Sequence, residues 1–326
     1  ALGILINTSI KIGQIRLLCD YLEQFAKRFP KDSNSSDFLL QAAQIREGLG
    51  KYAKANHNYQ RYIARGDLSI AQLDKAVFSM ADNMVQMNNS AAAIRVLKTY
   101  QKRLSASGQV RAHALMAVLN QKLNRRSQAR SSSALAKKSY QPGMGKKDPV
   151  LRDLMAQISY EAVYGSSGRY FKLKLNKKID NKIAAQKAKL LQSLEAEYQK
   201  VMAYKSPAWA LKSCFRANEI YREFAQFLLD SPLPGDLAEG QKQQYRSLIR
   251  QKAQAYTDKA DQYLKTCIEL ARKWEICDPQ LTGYFNPAEN PQGKENAFGS
   301  LSKERASAEV ARQSLRDTNL TRLYQK

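Results

Sequence analysis

The chain has 326 residues, 44% of them hydrophobic, and a formal net charge of +24 at pH 7. This hydrophobic content, with 17 Tyr, 10 Phe and two Trp, can build a core and excludes a wholly disordered chain. No apolar run approaches the roughly 18–20 residues of a membrane-spanning helix. The sequence begins at Ala1 inside a helical pattern, which leaves open a processed leader or a longer parent protein.

A degenerate repeat occupies residues 1–138. Its four copies are anchored at Gly13, Gly50, Asn88 and Asn124, which lie 37, 38 and 36 residues apart. A fixed period of this size is typical of solenoids built from stacked helix pairs. Gly and Asn tolerate the left-handed backbone conformation that joins two paired helices. We therefore predict four helix–turn–helix repeats with these residues in the turns.

Each copy also carries core positions at helical spacing. The residue five positions after the anchor is predicted to lie where the two helices cross, and the residues four and seven positions further on fill the seam between repeats. These positions hold Leu18, Leu22 and Phe25; Ala55, Tyr59 and Tyr62; Ala93, Leu97 and Tyr100; and Ala129, Ser133 and Ala136. The first helices carry their own apolar stripes, which include Leu2, Leu5 and Ile6; Leu39, Ala42 and Ala43; Ala76, Val77, Met80 and Ala81; and Ala112, Leu115, Met116 and Leu119.

This pattern resembles the tetratricopeptide repeat (TPR) family, whose unit is a helix–turn–helix of about 34 residues. The resemblance covers residues 1–138 and is best around Gly50, Tyr52, Ala55 and Tyr59. It implies an all-α fold, a TPR-like right-handed α-solenoid, with the longer C-terminal helices continuing or capping the superhelix. It also implies a protein that binds protein partners in the superhelix groove.

The second half is predicted to contain longer helices. Residues 139–178 form a basic connecting region, in which a helix from Val150 ends at Gly165-Ser-Ser-Gly168 and an extended piece or a new helix follows. Residues 179–277 form a C-terminal module with helices over 179–204, 207–230 and 237–274, separated at Ser206-Pro207 and at a Pro-rich turn. Residues 278–326 form a Pro- and Gly-containing tail with one short helix at 303–315.

A second resemblance covers roughly residues 185–275. It rests on a series of apolar, aromatic and proline positions: Leu190, Leu194, Tyr198, Val201, Pro207, Trp209, Tyr221, Phe224, Leu228, Pro232, Pro234, Tyr245, Leu248 and Tyr263. This series resembles a module of envelope-associated TPR proteins of myxobacteria and their delta-proteobacterial relatives, some of them similar to gliding-motility components. It implies a scaffold of the periplasm or cell envelope; the cytoplasm is the alternative.

Positive charge is concentrated in one stretch. Residues 122–189 contain 17 basic and four acidic residues, an excess of thirteen positive charges that would attract an anionic partner. The alternative is a solvated face without a specific ligand. The candidate anion-binding residues are Arg125, Arg126, Arg130, Lys137, Lys138, Lys172, Lys174, Lys177 and Lys178.

The groove of the predicted superhelix would be lined by the inner faces of the first helices. The repeat places Leu40, Gln44, Phe78, Asp82 and Gln121 there, with Leu40 and Phe78 also read as core. TPR proteins that bind C-terminal carboxylates carry Lys, Arg and Asn at such positions, which this chain lacks. The mixed polar and apolar set instead predicts a helix or an extended peptide as the ligand.

No known catalytic or metal-binding pattern appears, and we expect neither an enzyme nor a cofactor. His57 and His113 stand apart from any cysteine or carboxylate pair at ligand spacing. Cys19, Cys214, Cys267 and Cys277 form no C-x-x-C pair. All but Cys277 lie in apolar helical surroundings and are predicted to be buried free thiols, while an oxidising compartment leaves open a Cys214–Cys267 or a Cys267–Cys277 disulfide.

Together these observations predict a non-enzymatic scaffold in a bacterial cell-envelope assembly that is connected with motility. The groove would bind protein partners, and the basic stretch would bind an acidic protein or an envelope polyanion. The alternative function is a helical-repeat protein that binds nucleic acid or another anionic polymer. That alternative needs a regular ladder of basic and aromatic residues, one set per repeat, which the sequence does not show.

Overall fold

The computed structural model describes residues 2–141, 143–174, 181–233 and 238–276. These residues form thirteen α-helices and one 3-10 turn, with no β-strand among them, which confirms the all-α prediction. The helices are α1 Leu2–Lys11, α2 Ile15–Arg28, α3 Asn34–Gly48, α4 Tyr52–Ala64, α5 Ile70–Gln86, α6 Ser90–Tyr100, α7 Ala106–Lys122, α8 Arg126–Ser139, α9 Met144–Lys147, α10 Pro149–Lys172, α11 Asn181–Ala203, α12 Pro207–Leu229 and α13 Glu239–Lys273. The predicted helix at 303–315 lies outside the described residues.

The four predicted turn residues all adopt a left-handed conformation. The φ angles are 67° at Gly13, 70° at Gly50, 56° at Asn88 and 58° at Asn124. At Gly50, its own N–H donates to the Glu47 carbonyl at 2.9 Å and the next N–H donates to the Arg46 carbonyl at 2.8 Å. The other three turns repeat this hydrogen-bond pair, which satisfies the last carbonyls of the first helix and allows the second helix to begin within two residues.

The first eight helices form an α-solenoid of four helix pairs in contact in chain order. At the predicted crossing positions Ala55 and Ala93 are fully buried, and the seam positions Tyr59, Tyr62 and Leu97 are at most 2% exposed. Their side chains belong to one continuous hydrophobic cluster that runs from α2 to α7. The alternation of small crossing residues and large seam residues explains why the helices stack closely.

Two expectations for the helices were wrong. Leu5, predicted in an apolar stripe, is 40% exposed, while the residues at the same repeat position, Ala42, Met80 and Met116, are buried. The reason is that α1 buries a single face, on which Ile6 packs against Leu22 and Ala42, and Leu5 lies beside that face.

The predicted helix end at Gly165-Ser-Ser-Gly168 was the second error, because α10 continues to Lys172. Ser166 and Ser167 donate to carbonyls three residues earlier, and Tyr170 is fully buried beyond them. Each glycine costs a helix only about 1 kcal/mol relative to Ala. Burial of residues on both sides of the glycines, Val163 and Tyr170, offsets that cost.

The chain divides into two compact units: residues 1–213 with 230–236, and residues 214–229 with 237–326. In the described part of the second unit, α12 and α13 run antiparallel. The Asn218 side chain donates to the Ala260 carbonyl at 2.7 Å, and the Tyr221 ring stacks near Tyr256. Buried residues on α13 recur every seven positions at Ala253, Ala260 and Cys267, the spacing of a close helix–helix seam.

We predict that Gly50→Ala destabilises the protein by about 1 kcal/mol, because a Cβ strains a left-handed backbone. A Cβ at Gly50 would meet no atom within 4 Å, so the cost comes from the backbone alone. Gly48, which is helical and equally unobstructed, is the matched control, and Gly48→Ala should be neutral or stabilising. Urea unfolding of the two variants measures the difference; equal midpoints would contradict the role of the turn.

Candidate partner-binding surfaces

The predicted groove residues lie on the first helices of three successive pairs. Gln44 on α3, Asp82 on α5 and Gln121 on α7 are exposed. Leu40 is half-buried and packs against the main hydrophobic cluster, and Phe78 is only 4% exposed. Phe78 therefore contributes to the core, while the polar residues of the set remain accessible to a ligand.

Charged groups lie next to the buried Phe78 ring. The Arg111 guanidinium lies 4.0 Å from the centre of the Phe78 ring, and its Nη1 is 3.5 Å from Asp148 Oδ2. Although Asp82 is exposed, partial desolvation by the neighbouring helices raises the pKa of its carboxyl group, the nearby Arg111 lowers it, and Glu47 raises it. This part of the α5 and α7 surface thus holds both signs of charge, with Arg111 already engaged by Phe78 and Asp148.

A polar cluster that the sequence analysis missed joins the first two pairs. Arg46 on α3 is buried, and its Nε lies 3.0 Å from Glu23 Oε1 on α2 while its Nη2 pairs with Asp20. Asn58 on α4 donates to the same Glu23 oxygen at 2.8 Å. These side chains tie three helices together.

A second polar cluster joins the second and third pairs. The Tyr59 hydroxyl donates to Glu47 Oε2 at 2.8 Å, and Asn83 on α5 donates to Asn56 Oδ1 at 3.0 Å. Burial is the main reason why the pKa of Tyr59 is raised. The signal that could have revealed both clusters is polar residues at buried helix positions, namely Asn56, Asn58 and Asn83.

Five of the candidate anion-binding residues lie together at the fourth helix pair. Arg125, Arg126, Arg130, Lys137 and Lys138 are all exposed, on α8 or directly before it. Arg126, Arg130 and Lys137 are four and eleven residues apart, so they share one face of α8 over about 16 Å. Burial lowers the pKa of Lys137, and Glu197 on α11 raises it.

The other two candidates that the structure describes are not part of this face. Lys172 and Lys174 are exposed at the C-terminal end of α10, a different helix, and Lys177 and Lys178 lie outside the described residues. Lys187, which contributes to the charge of the basic stretch, is fully buried. Its Nζ donates to the Leu173 carbonyl at 2.7 Å, so this lysine stabilises the end of α10.

The positive field begins earlier in the chain than the sequence analysis proposed. Residues 83–147 contain no Asp or Glu and hold thirteen basic residues: Arg95, Lys98, Lys102, Arg103, Arg111, Lys122, Arg125, Arg126, Arg130, Lys137, Lys138, Lys146 and Lys147. All except Arg111 are exposed. We call these twelve exposed residues the acid-free basic surface, after the run of sequence that carries them; in space, Glu197 of α11 lies near one of them, Lys137. The signal that was missed is the absence of carboxylates from residues 83–147. The net charge of residues 122–189 does not show it, because that stretch contains four acidic residues.

A metal site would require several His, Cys, Asp or Glu side chains close together. No group of three or more His, Cys, Asp or Glu side chains is arranged to hold a metal ion in the described part of the chain. His57 is exposed, and His113 Nε2 lies 2.9 Å from the Gln101 side-chain nitrogen. Burial lowers the pKa of His113. Among the described helices, none has the length and apolar character needed to cross a membrane.

Comparison with known proteins gives a weak likeness. No protein-family model matches the sequence, and no curated protein matches it. A solved structure of a tetratricopeptide repeat protein from Parabacteroides merdae shares 12% sequence identity, covers 82% of this chain and 97% of its own, and has a TM-score of 0.33. At that score the likeness carries no argument, so the conclusions below rest on the residues of this chain.

We predict that Arg46→Met destabilises the protein by about 2 kcal/mol, because it removes the cation that neutralises Glu23 and Asp20. This lies below the 3–5 kcal/mol typical of fully buried pairs, since both carboxylates keep some solvent. Arg95→Met, at an exposed position on α6, should change stability by less than about 0.5 kcal/mol. Equal denaturant midpoints for the two variants would contradict a structural role for the cluster.

Glu161 on α10 has an unusual environment. Its Oε2 is buried and finds no hydrogen-bond donor among the described residues, while Oε1 accepts from Gln157 at 2.9 Å. Burial raises the pKa of this carboxyl group above its ordinary value of 4.5, although Gln157 and Lys212 oppose the shift. The folded state therefore disfavours the ionised form of Glu161.

This shift has a definite sign for stability. Because the pKa is higher in the folded state, the ionised carboxylate lowers stability as the pH rises from about 4.5 through the folded pKa. We predict that Glu161→Gln is more stable than the parent chain at pH 7 and equally stable below about pH 4. Thermal unfolding across this pH range tests it, with Glu269→Gln, at an exposed position on α13, as control. A loss of stability at pH 7 in Glu161→Gln would contradict it.

Proposed function

We propose that this protein is a non-enzymatic scaffold whose helix-pair repeats bind protein partners, and that the acid-free basic surface recognises an acidic partner. The single observation that carries the proposal is the run of residues 83–147, which has thirteen basic residues and no carboxylate. Such a field attracts anions at long range and repels cationic surfaces.

The basic side chains of this run are available to an external partner. Apart from Arg111, none of the thirteen basic side chains forms an ion pair in the described ranges. On α8 three of them, Arg126, Arg130 and Lys137, share one face, so a single acidic segment that runs along this helix can contact all three. Neutralising this field with a partner removes the repulsion among the exposed cations.

The inner face adds a second contact region to the proposal. Gln44, Asp82 and Gln121 are exposed on the first helices, where a partner helix or extended segment would find both hydrogen-bond donors and acceptors. The envelope and motility setting is supported by the sequence resemblance of residues 185–275 alone. This cellular setting is a separate part of the proposal, and identification of the natural partner tests it.

We predict that the triple variant Arg126→Glu, Arg130→Glu, Lys137→Glu weakens binding of a poly-glutamate peptide about tenfold or more, since it reverses the charge of one helix face. The control reverses Arg246, Arg250 and Lys265, which are exposed on α13, so that net charge changes equally. Fluorescence anisotropy at low and high salt measures both variants. Equal losses in the two variants would show a non-specific charge effect and contradict the proposal.

The same assay decides the alternative function. If single-stranded RNA binds more tightly than poly-glutamate at equal salt, and if the triple variant loses this binding, then nucleic acid replaces an acidic protein as the ligand. Cross-linking in cells, followed by mass spectrometry, then identifies the natural partner. Capture of an acidic protein by the parent chain and the α13 control, but not by the triple variant, is the expected result.

A further inference from the structure

Two thiols meet in the second compact unit. Cys214 on α12 and Cys267 on α13 are both fully buried. The Cys214 thiol donates to the backbone carbonyl of Tyr263 at 3.0 Å, and Tyr263 lies one helical turn before Cys267. The Cys214 side chain therefore lies against the turn of α13 that ends at Cys267. The two thiols are neighbours in the seam between α12 and α13, and the proximity of Cys214 is the main reason why the pKa of Cys267 is raised.

The neighbouring contacts fix this register of the two helices. The Asn218 side chain donates to the Ala260 carbonyl at 2.7 Å, one turn along each helix from the thiols. The Tyr221 ring centre is 5.8 Å from that of Tyr263. Small buried residues on α13 allow α12 to approach closely. A slip of either helix would break these contacts together with the thiol pair.

We propose that Cys214 and Cys267 are a disulfide-forming pair that becomes covalently linked when the chain folds under oxidising conditions. The reaction consumes both S–H bonds and forms one S–S bond, and it releases two protons and two electrons. The electrons reduce a disulfide oxidant, such as oxidised glutathione or the disulfide of a thiol oxidoreductase, to two thiols. The link closes a loop of 53 residues that contains most of the described part of the second unit.

Burial of the two thiols determines at which stage of folding the disulfide forms. The contact with Cys214, together with burial, raises the pKa of the Cys267 thiol. Since the thiolate is the attacking species, the folded reduced pair reacts slowly with an external oxidant. The disulfide therefore forms while the chain is still opening and closing during folding, and burial then protects it from reduction.

The other two cysteines provide internal controls. Cys19 is buried in α2, in the other compact unit, beside Arg46, Glu23 and Asp20 rather than another thiol. Cys277, the alternative partner of Cys267 in the sequence analysis, lies outside the described residues. The inference does not depend on the proposed function, because it concerns the stability of the second unit rather than a partner.

The experiment refolds the full chain from denaturant in a mixture of oxidised and reduced glutathione, then alkylates free thiols and maps the peptides by mass spectrometry. The expected result is a Cys214–Cys267 peptide and two free thiols, at Cys19 and Cys277. Four free thiols, or a Cys267–Cys277 peptide, would overturn the proposal. Adding the oxidant to the already folded reduced protein should form the link at least tenfold more slowly.

A thermal measurement gives an independent readout. Reductant should lower the unfolding midpoint of the refolded chain by about 10 °C, since a loop of this length strongly restricts the unfolded state. The shift should persist in Cys19→Ser and disappear in Cys214→Ser and Cys267→Ser. A shift that persists in both of these variants would overturn the proposal. The mapping of the unsubstituted chain decides the question even if either variant fails to fold.

Discussion

The backbone conformation of one residue between paired helices is the constraint on which the first eight helices depend. A left-handed residue lets the second helix begin within two positions of the first one's end, with the final carbonyls already satisfied by the turn. At the second and third pairs small side chains occupy the close crossing that follows, and Ala55 and Ala93 are fully buried there. The turn conformation and the small size of the crossing residues thus both serve the close approach of two paired helices.

The seams between the pairs are filled in different ways along the chain. Between the first three pairs, large side chains such as Tyr59 and Tyr62 occupy the apolar part, and the clusters around Arg46 and Glu47 occupy the polar part. At the fourth pair Ser133 and Ala136 replace the aromatic residues. There α10 fills the seam, because Leu151 and Met155 pack fully buried against Ala136. A weak repeat copy is therefore compensated by its neighbour.

The charge distribution is tolerated because the basic side chains lie outside these seams. The core of the third and fourth pairs is built by residues such as Leu97, Met116 and Leu119, so the fold does not need ion pairs there. Twelve exposed cations without a carboxylate in the same run repel one another, a cost that solvent and salt reduce but do not abolish. A partner that supplies the missing carboxylates would relieve this repulsion, and the relief would contribute to its binding affinity. The exposed cations thus connect the solvent-facing side of the solenoid with the proposed function.

The sequence alone determined the helix-pair repeat, since its period, turn residues and apolar spacing are local features of the chain. Gly50 and Asn88 could be assigned to left-handed turns because few residue types accept that conformation. Only the tertiary structure decided that α10 continues through Gly165 and Gly168. The free energy gained by burying Val163 and Tyr170 outweighs the low helix propensity of the two glycines. The tertiary structure also decided which charges are free: Lys187 is buried at a helix end, whereas Arg126, Arg130 and Lys137 share one exposed face. The meeting of Cys214 with Cys267 depends on the register of two helices, and this register is set by contacts between residues more than forty positions apart in the sequence.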